Sequence, residues 1–326
     1  MDKLLELIDS KRNIKKSSLN IYRVNLGKAY RAITQKPMDE FSLDFLKDMD
    51  SVLDFLKDFK SPTKRTYLSS FIVAMDSSDM DHKLVDDYRD EMLKTQKSVD
   101  KSYEDGKMSE KQKSNWVSFK VLKNITKSLQ RELKEDGAFD RETLTKKQRQ
   151  DMQDWVIASL YTADTENNPP IRLDYANMRV IKKENYEKLP EQERDDYNWL
   201  VLNKRDMVFV FNDFKTESRY GSKTIKVGKV LKSVLIKWLP HVEDEGYLLL
   251  SNTKHESPMT SANLGVNISR IFRRTGKNIT LNLIRNIFLS ERFPRKEEDE
   301  KKEVTEKMMT STGVADAVYR KKTDKE

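Results

Sequence analysis

The apolar residues of this chain recur at helical spacing almost throughout, and the period changes once, between about residues 179 and 227. That change constrains the fold more than any other feature. A 3.6-residue stripe buries one face of a helix, whereas alternation buries one face of a strand. Before the change, a short amphipathic start (residues 4–8) leads to a helix with Leu19, Tyr22, Leu26, Ala29 and Tyr30 on one face, capped by Ser17 or Ser18. A second helix is expected over 42–59. A third follows Ser61 as cap with Pro62 at the first helical position, and a fourth covers 82–96. The polar stretch 97–113 has almost no apolar periodicity, contains Gly106 and reads as a linker. Helices over roughly 115–133 and 144–161 open a second unit.

Within the changed period, W-L-V-L-N-K-R-D-M-V-F-V-F reads as two strands turning near Lys204 and Arg205, and residues 222–227 as a third. Helices resume at 230–239, 262–274, 281–293, 297–309 and 314–321. The expectation is a mainly α fold with a small antiparallel sheet (α+β), in two domains: a helical one over 1–100, and one over 101–326 holding three strands and a C-terminal helix.

At 326 residues each domain can bury its own core. The formal net charge of +8 arises from 62 basic and 54 acidic residues, so the excess must be clustered to attract a polyanion. No cysteine is present, which removes disulfides, thiolate metal sites and Cys nucleophiles. His82, His241 and His255 stand far apart, outside any zinc spacing. No phosphate-binding G-x-x-x-x-G-K-[ST] loop occurs, so no nucleotide cofactor is expected, and no other cofactor or metal either. The start lacks signal-peptide character, and no apolar run reaches the ~18 residues a membrane span needs. A reducing, intracellular setting is expected, with no membrane partner.

Cutting a DNA strand without metal or nucleotide needs three things. A nucleophile attacks phosphorus, cations neutralise the non-bridging oxygens, and an acid protonates the leaving 5′-oxygen. Arginine suits the clamp because its planar fork donates two hydrogen bonds and stays charged; lysine, with a shiftable pKa, suits the acid. A tyrosine can attack and leave again, so a covalent link conserves the bond for rejoining.

P-P-I-R-L-D-Y, F-N-D-F-K-T-E-S-R-Y-G and N-L-I-R-N, followed by a lone tyrosine before R-K-K, stand in the order this chemistry requires. Most of the chain thereby resembles the tyrosine recombinases (phage-type integrases), particularly the integrase-like proteins of large DNA viruses and their mobile elements. The resemblance implies a helical core-binding domain followed by a catalytic domain, the two clamping double-stranded DNA from opposite sides, with the chain working as a homo-oligomer, a tetramer, on DNA. It implies Arg172 and Arg285 as the phosphate clamps, Asp174 as acidic support, Lys215 as general acid and Tyr319 as nucleophile, 34 residues beyond Arg285 (319 − 285). Ile284, Ile287 and Phe288 would bury the stem of Arg285. Lys64 and Arg65, in the first turn of the third helix, and Lys223 in the hairpin are further candidates for DNA contact.

The family's usual histidine positions fall on Asn282 and Thr310. Both can hydrogen-bond a phosphate, but neither shuttles a proton near neutral pH. A slow or conditional enzyme follows. The alternatives are a DNA-binding protein on the same scaffold that has lost catalysis, and a type IB topoisomerase that relaxes supercoils alone. A virus-associated host cytoplasm or nucleus is the setting the resemblance implies.

Overall fold

The computed structural model describes residues 1–104, 108–252, 257–293 and 298–319. The chain divides into two compact units, Met1–Asp105 and Gly106–Glu326.

In the first unit, α1 (Asp2–Arg12), α2 (Lys16–Thr34), α3 (Met49–Leu56) and α5 (His82–Glu104) surround α4 (Ser61–Ser77). Leu68, Phe71, Ala74 and Met75 of α4 are sealed from solvent, so this helix is the centre of the unit. Rings pack edge-on around it: Phe71 lies 6.2 Å from Phe45 and 6.3 Å from Tyr88. The buried Tyr88 hydroxyl donates to the Leu46 carbonyl at 2.9 Å, which satisfies its one donor.

Three expectations shift here. The helix expected over 42–59 is two pieces, a 3₁₀ turn at Leu43–Lys47 and then α3. Asp48 breaks it by accepting from the Ser51 amide at 3.1 Å, so a residue that looked like a solvent position caps a new helix instead. Lys15 and Lys60, neither with a side-chain cap, precede α2 and α4, which places Ser17, Ser18 and Ser61 inside the first turns. The expected linker is largely helical. α5 runs on to Glu104, and α6 (Glu110–Asn115) starts from a capping box in which Ser109 and Gln112 bond reciprocally. Caps and propensity suffice for helix where no apolar stripe exists; Gly106 lies outside the described residues.

The second unit opens with α7 (Phe119–Glu135) and α8 (Lys146–Thr162). From Met152 to Thr162 every α8 residue is buried, making it the core helix. There follow β1 (Arg179–Lys182), short α9 (Lys183–Tyr186) and α10 (Glu191–Asp195), β2 (Trp199–Leu202), β3 (Met207–Phe211), α11 (Glu217–Tyr220) and β4 (Lys223–Lys226). Then come α12 (Lys229–Trp238), α13 (Ser261–Phe272), α14 (Leu281–Arg292), α15 (Glu298–Lys307), α16 (Thr312–Val314) and a π-helical turn, Ala315–Tyr319. Glu297 and residues 320–321, expected in the last two helices, lie outside the described residues.

The sheet differs from the expected three antiparallel strands. It has four, in the order β1-β2-β3-β4, and is mixed: β1 pairs parallel with β2 in the register Arg179↔Trp199, and the other pairs are antiparallel. Only Val180 and Ile181 are apolar in β1, too short a run to show a period, and the α9–α10 crossover supplies the parallel return. Val180, Leu200 and Phe209 face the main core, while Ile181, Trp199, Val201 and Val210 form a smaller cluster on the other face.

No helix among the described residues is long and apolar enough to cross a membrane.

Candidate active site

α14 begins where the Thr280 hydroxyl accepts from the Leu283 amide, at 3.3 Å, and its residues 283–289 are all buried. Arg285 therefore lies in the core with an exposure of 0%, and Ile284, Ile287 and Phe288 of the same helix are buried too. Its Nη1 donates to the Tyr319 hydroxyl, and its guanidinium carbon lies 3.9 Å from the centre of the Tyr319 ring. Nε and Nη2 have no hydrogen-bond partner. Burial pushes this guanidinium down to about 10, with Tyr319 opposing the fall and the charge of Arg172 adding to it.

Tyr319 closes the π-helical turn and is itself buried. With its amide oxygen and nitrogen assigned to match donors to acceptors, Asn286, next to Arg285 on α14, donates to the carbonyls of Val318 (3.2 Å) and Tyr319 (3.0 Å) and accepts from Gln112 at 2.8 Å. The buried Lys301 ammonium pairs with the Asp316 carboxylate, fixing the turn to α15. The nucleophile candidate is thus held from two sides, by α14 and by α15. Arg320, Lys321 and Lys322, which follow it, lie outside the described residues.

α15 ends in a Schellman turn: the Thr310 amide bonds to the Thr305 carbonyl (2.9 Å) and the Met309 amide to Glu306 (3.0 Å). Met309 occupies the left-handed position at φ +52°, where glycine is usual. Its carbonyl accepts from Arg172 Nη1 at 2.6 Å and from the Thr216 hydroxyl at 3.2 Å. These two donors, with the buried side chains of Met308 and Met309, hold a conformation that costs a β-carbon residue ~1–2 kcal/mol. One turn carbonyl thereby joins the Arg172 loop to the segment bearing Lys215. Thr310 comes next, 3% exposed, its hydroxyl buried without a partner.

Arg172 follows Pro169 and Pro170 on the loop from α8 to β1. That loop is pinned where the Tyr161 hydroxyl donates to the Arg172 carbonyl (3.2 Å), and where Asn168 accepts from the Gly228 amide (2.7 Å) and donates to the Lys226 carbonyl (3.1 Å). No hydrogen bond joins Asp174, expected as acidic support, to Arg172 among the described residues. Its Oδ2 is sealed without a partner. Burial pushes the carboxyl up to about 6, against the pull of Arg172 and Arg285, while Asp213 adds to the rise.

Lys215 is exposed, in the turn between β3 and α11. Its neighbour Thr216 reaches the Met309 carbonyl that Arg172 also reaches. Lys223 opens β4 opposite Phe211, its ammonium 5.8 Å from the Tyr220 ring centre. Asn282 is exposed in the first turn of α14. Together with Arg172, Asp174 and Thr280 it lines a cleft of about 820 Å³. Lys64 and Arg65 sit in the first turn of α4 in the other unit; Arg65 donates to Gln96 at 2.6 Å, and Lys64 is half-buried.

The structure therefore brings together Arg285 with Tyr319, Arg172 with the Met309–Thr310 turn, and Asn282 with Arg172 along the cleft. Sequence reasoning missed Thr216, Asn286 and the Met309 carbonyl. Asn286 carried a signal, a second polar residue beside Arg285 in the run 283–289 that is otherwise apolar; a turn carbonyl carries none. Among the described residues no group of three or more His, Asp or Glu is placed to hold a metal ion.

No protein-family model matches this chain, and no curated protein matches it. Among solved structures, the crystal structure of XerA recombinase is similar over 99% of this chain and 95% of that one, with 10% sequence identity and a TM-score of 0.40. At that level the chemistry has to be read from the residues themselves.

Proposed function

We propose that this protein cleaves and rejoins DNA strands through a covalent link to Tyr319. The observation that supports it most is Arg285, a cation with no exposed surface, one donor on a phenol and two donors without partners. Each unmet buried donor costs ~1–3 kcal/mol, and more when charged. A fold that sustains this cost beside a potential nucleophile has an anion with several acceptor oxygens as its natural complement. A phosphodiester is such an anion.

In this reading Arg172 and Arg285 hold the two non-bridging oxygens, with Asn282 and the Thr310 hydroxyl as further donors. The Tyr319 oxygen gives up its proton to solvent water and attacks phosphorus, while the bond from phosphorus to the 5′-oxygen breaks. Lys215 donates a proton to that leaving oxygen. A 3′-phosphotyrosyl link and a free 5′-hydroxyl result, and attack by a 5′-hydroxyl reverses the step. Arg172 would exchange the Met309 carbonyl for phosphate, and Arg285 would turn its unmet donors to it. The first unit, with Lys64 and Arg65, would supply non-specific phosphate contacts, and Lys223 would add one from the hairpin. Strand exchange requires two cleaved duplexes, hence assembly of several copies, a tetramer, on DNA.

A duplex nicked just beyond the cut, so that the short 5′-hydroxyl fragment diffuses away, tests this. Radiolabel should become protein-bound under denaturing conditions with the native chain and not with Tyr319→Phe. Tight DNA binding without any capture would leave the alternative of a non-catalytic DNA-binding scaffold, which the burial of Tyr319 and the lack of a proton shuttle at Asn282 and Thr310 favour. Relaxation of supercoils by single copies would instead point to a topoisomerase.

A further inference from the structure

The cleft beside Arg172 has a second cation that the chemistry above does not use. Three arginines fall within one and a half turns at the end of α13, and two of them are engaged. Arg270 makes a two-point contact with the buried Asp154 carboxylate (2.7 and 2.6 Å), and Arg274 pairs with Glu132 at 2.5 Å. Among the described residues Arg273 has neither kind of partner; it is exposed and lines the same cleft as Arg172 and Asn282.

The lining includes apolar side chains beside the polar Ser269, Thr280 and Asn282 and the engaged Arg270. Leu173 and Leu281 contribute from the Arg172 loop and α14, and Val266, 68% exposed, from α13. Gly265 keeps the wall low: a β-carbon there would meet only Leu173 Cδ1, at 3.8 Å. Asp174 is the only acid in the lining. A lining with apolar side chains beside Arg172, Arg270 and Arg273 fits a ligand that alternates apolar rings with anions. At about 820 Å³ the cleft is in the size range of sites that enclose small ligands. A protein segment would need acids at both ends and an apolar middle; a DNA strand has that alternation at every step.

We propose that this cleft is the subsite for the nucleotide next to the scissile phosphate, with its deoxyribose on the Leu173–Val266 floor and its outer phosphate on Arg273. The proposal rests on the phosphodiester reading of Arg172, and it assigns Arg273 a binding role, not a catalytic one. Arg274 is a built-in control, because it carries the same charge one residue on but is held by Glu132.

The test measures affinity of the full chain for a mixed-sequence duplex by fluorescence anisotropy, from ~50 to ~200 mM salt, in the Tyr319→Phe background so that no cleavage is required. Arg273→Ala should lower the slope of log affinity against log salt by about 0.9, the value of one phosphate contact, whereas Arg274→Ala should change it by much less. Gly265→Leu fills the floor and improves helix propensity, so it should weaken binding several-fold while the slope and the melting temperature hold. Equal slopes for the Arg273 and Arg274 variants would overturn the proposal. So would a Gly265→Leu chain that binds DNA as before but changes its self-association, since the occupant would then be a second copy. If these binding results hold and no capture by Tyr319 is ever seen, the subsite stands and the nucleophile assignment fails.

Discussion

The two ends of the candidate site are built in opposite ways. At one end Arg285 and Tyr319 are buried and braced by Asn286 and by the Lys301–Asp316 pair. At the other Lys215 is exposed on a turn, and only its neighbour Thr216 is tied down. The difference matches what each would do. Charge developing on a phosphorane is stabilised best by dipoles and cations that need no rearrangement, so its partners belong in the core. An acid that must reach a leaving oxygen can be mobile and hydrated until the strand arrives.

Removing the buried end should have a large effect. Arg285→Met is expected to lower the rate of capture of a nicked duplex by ~10²–10³, because a preorganised donor is lost. Thermal unfolding should show stability unchanged or raised, since a well-packed hydrophobe in place of a buried charge is often neutral or stabilising. A variant that unfolds easily would mean that Arg285 is chiefly structural, and the contrast between the two ends would break.

At the exposed end, Lys215→Ala should slow cleavage by ~10²–10⁴ with stability within ~0.5 kcal/mol of the native chain. A duplex with sulfur in place of the 5′-oxygen, which leaves without a proton, should recover most of the rate. Failure of that rescue would move the general acid to another residue, with Lys223 the first to try.

Asp174 sharpens the comparison through pH. Its folded-state value of about 6 lies above the ~3.9 of an unfolded Asp, so the folded chain binds more protons in that window. Stability should therefore fall as pH rises from ~4 through about 6. Urea titrations of Asp174→Asn should show that slope reduced and stability near pH 7 increased, by on the order of 2 kcal/mol. An unchanged slope would mean that the carboxylate is better solvated than its sealed Oδ2 indicates. The smallest effect belongs to the first unit. Lys64→Ala should reduce the salt dependence of DNA binding by about one contact, and affinity only several-fold.

Much of this was legible in the order of residues, and the reasons are local. The burial of Arg285 was readable because Ile284, Ile287 and Phe288 make its stretch of the helix apolar on more than one side. The three strands from Trp199 to Lys226 were readable because alternation survives over four or five residues. β1 was not, since two apolar residues set no period and its partner is 20 residues away. The break at Asp48 was hidden because one carboxylate can be either a solvent position or a cap, and only the fold decides. The Met309 carbonyl could not be anticipated at all: every residue has one, and what singles it out is a left-handed turn that a methionine rarely adopts.

The most direct measurement is peptide mass spectrometry of the native chain after reaction with the nicked duplex and nuclease digestion. The expected result is a nucleotide attached through its 3′-phosphate to Tyr319, absent when Arg285 is replaced by Met. An adduct on any other residue, or bound DNA with no adduct at all, would contradict the placement of the chemistry at the Arg285–Tyr319 pair.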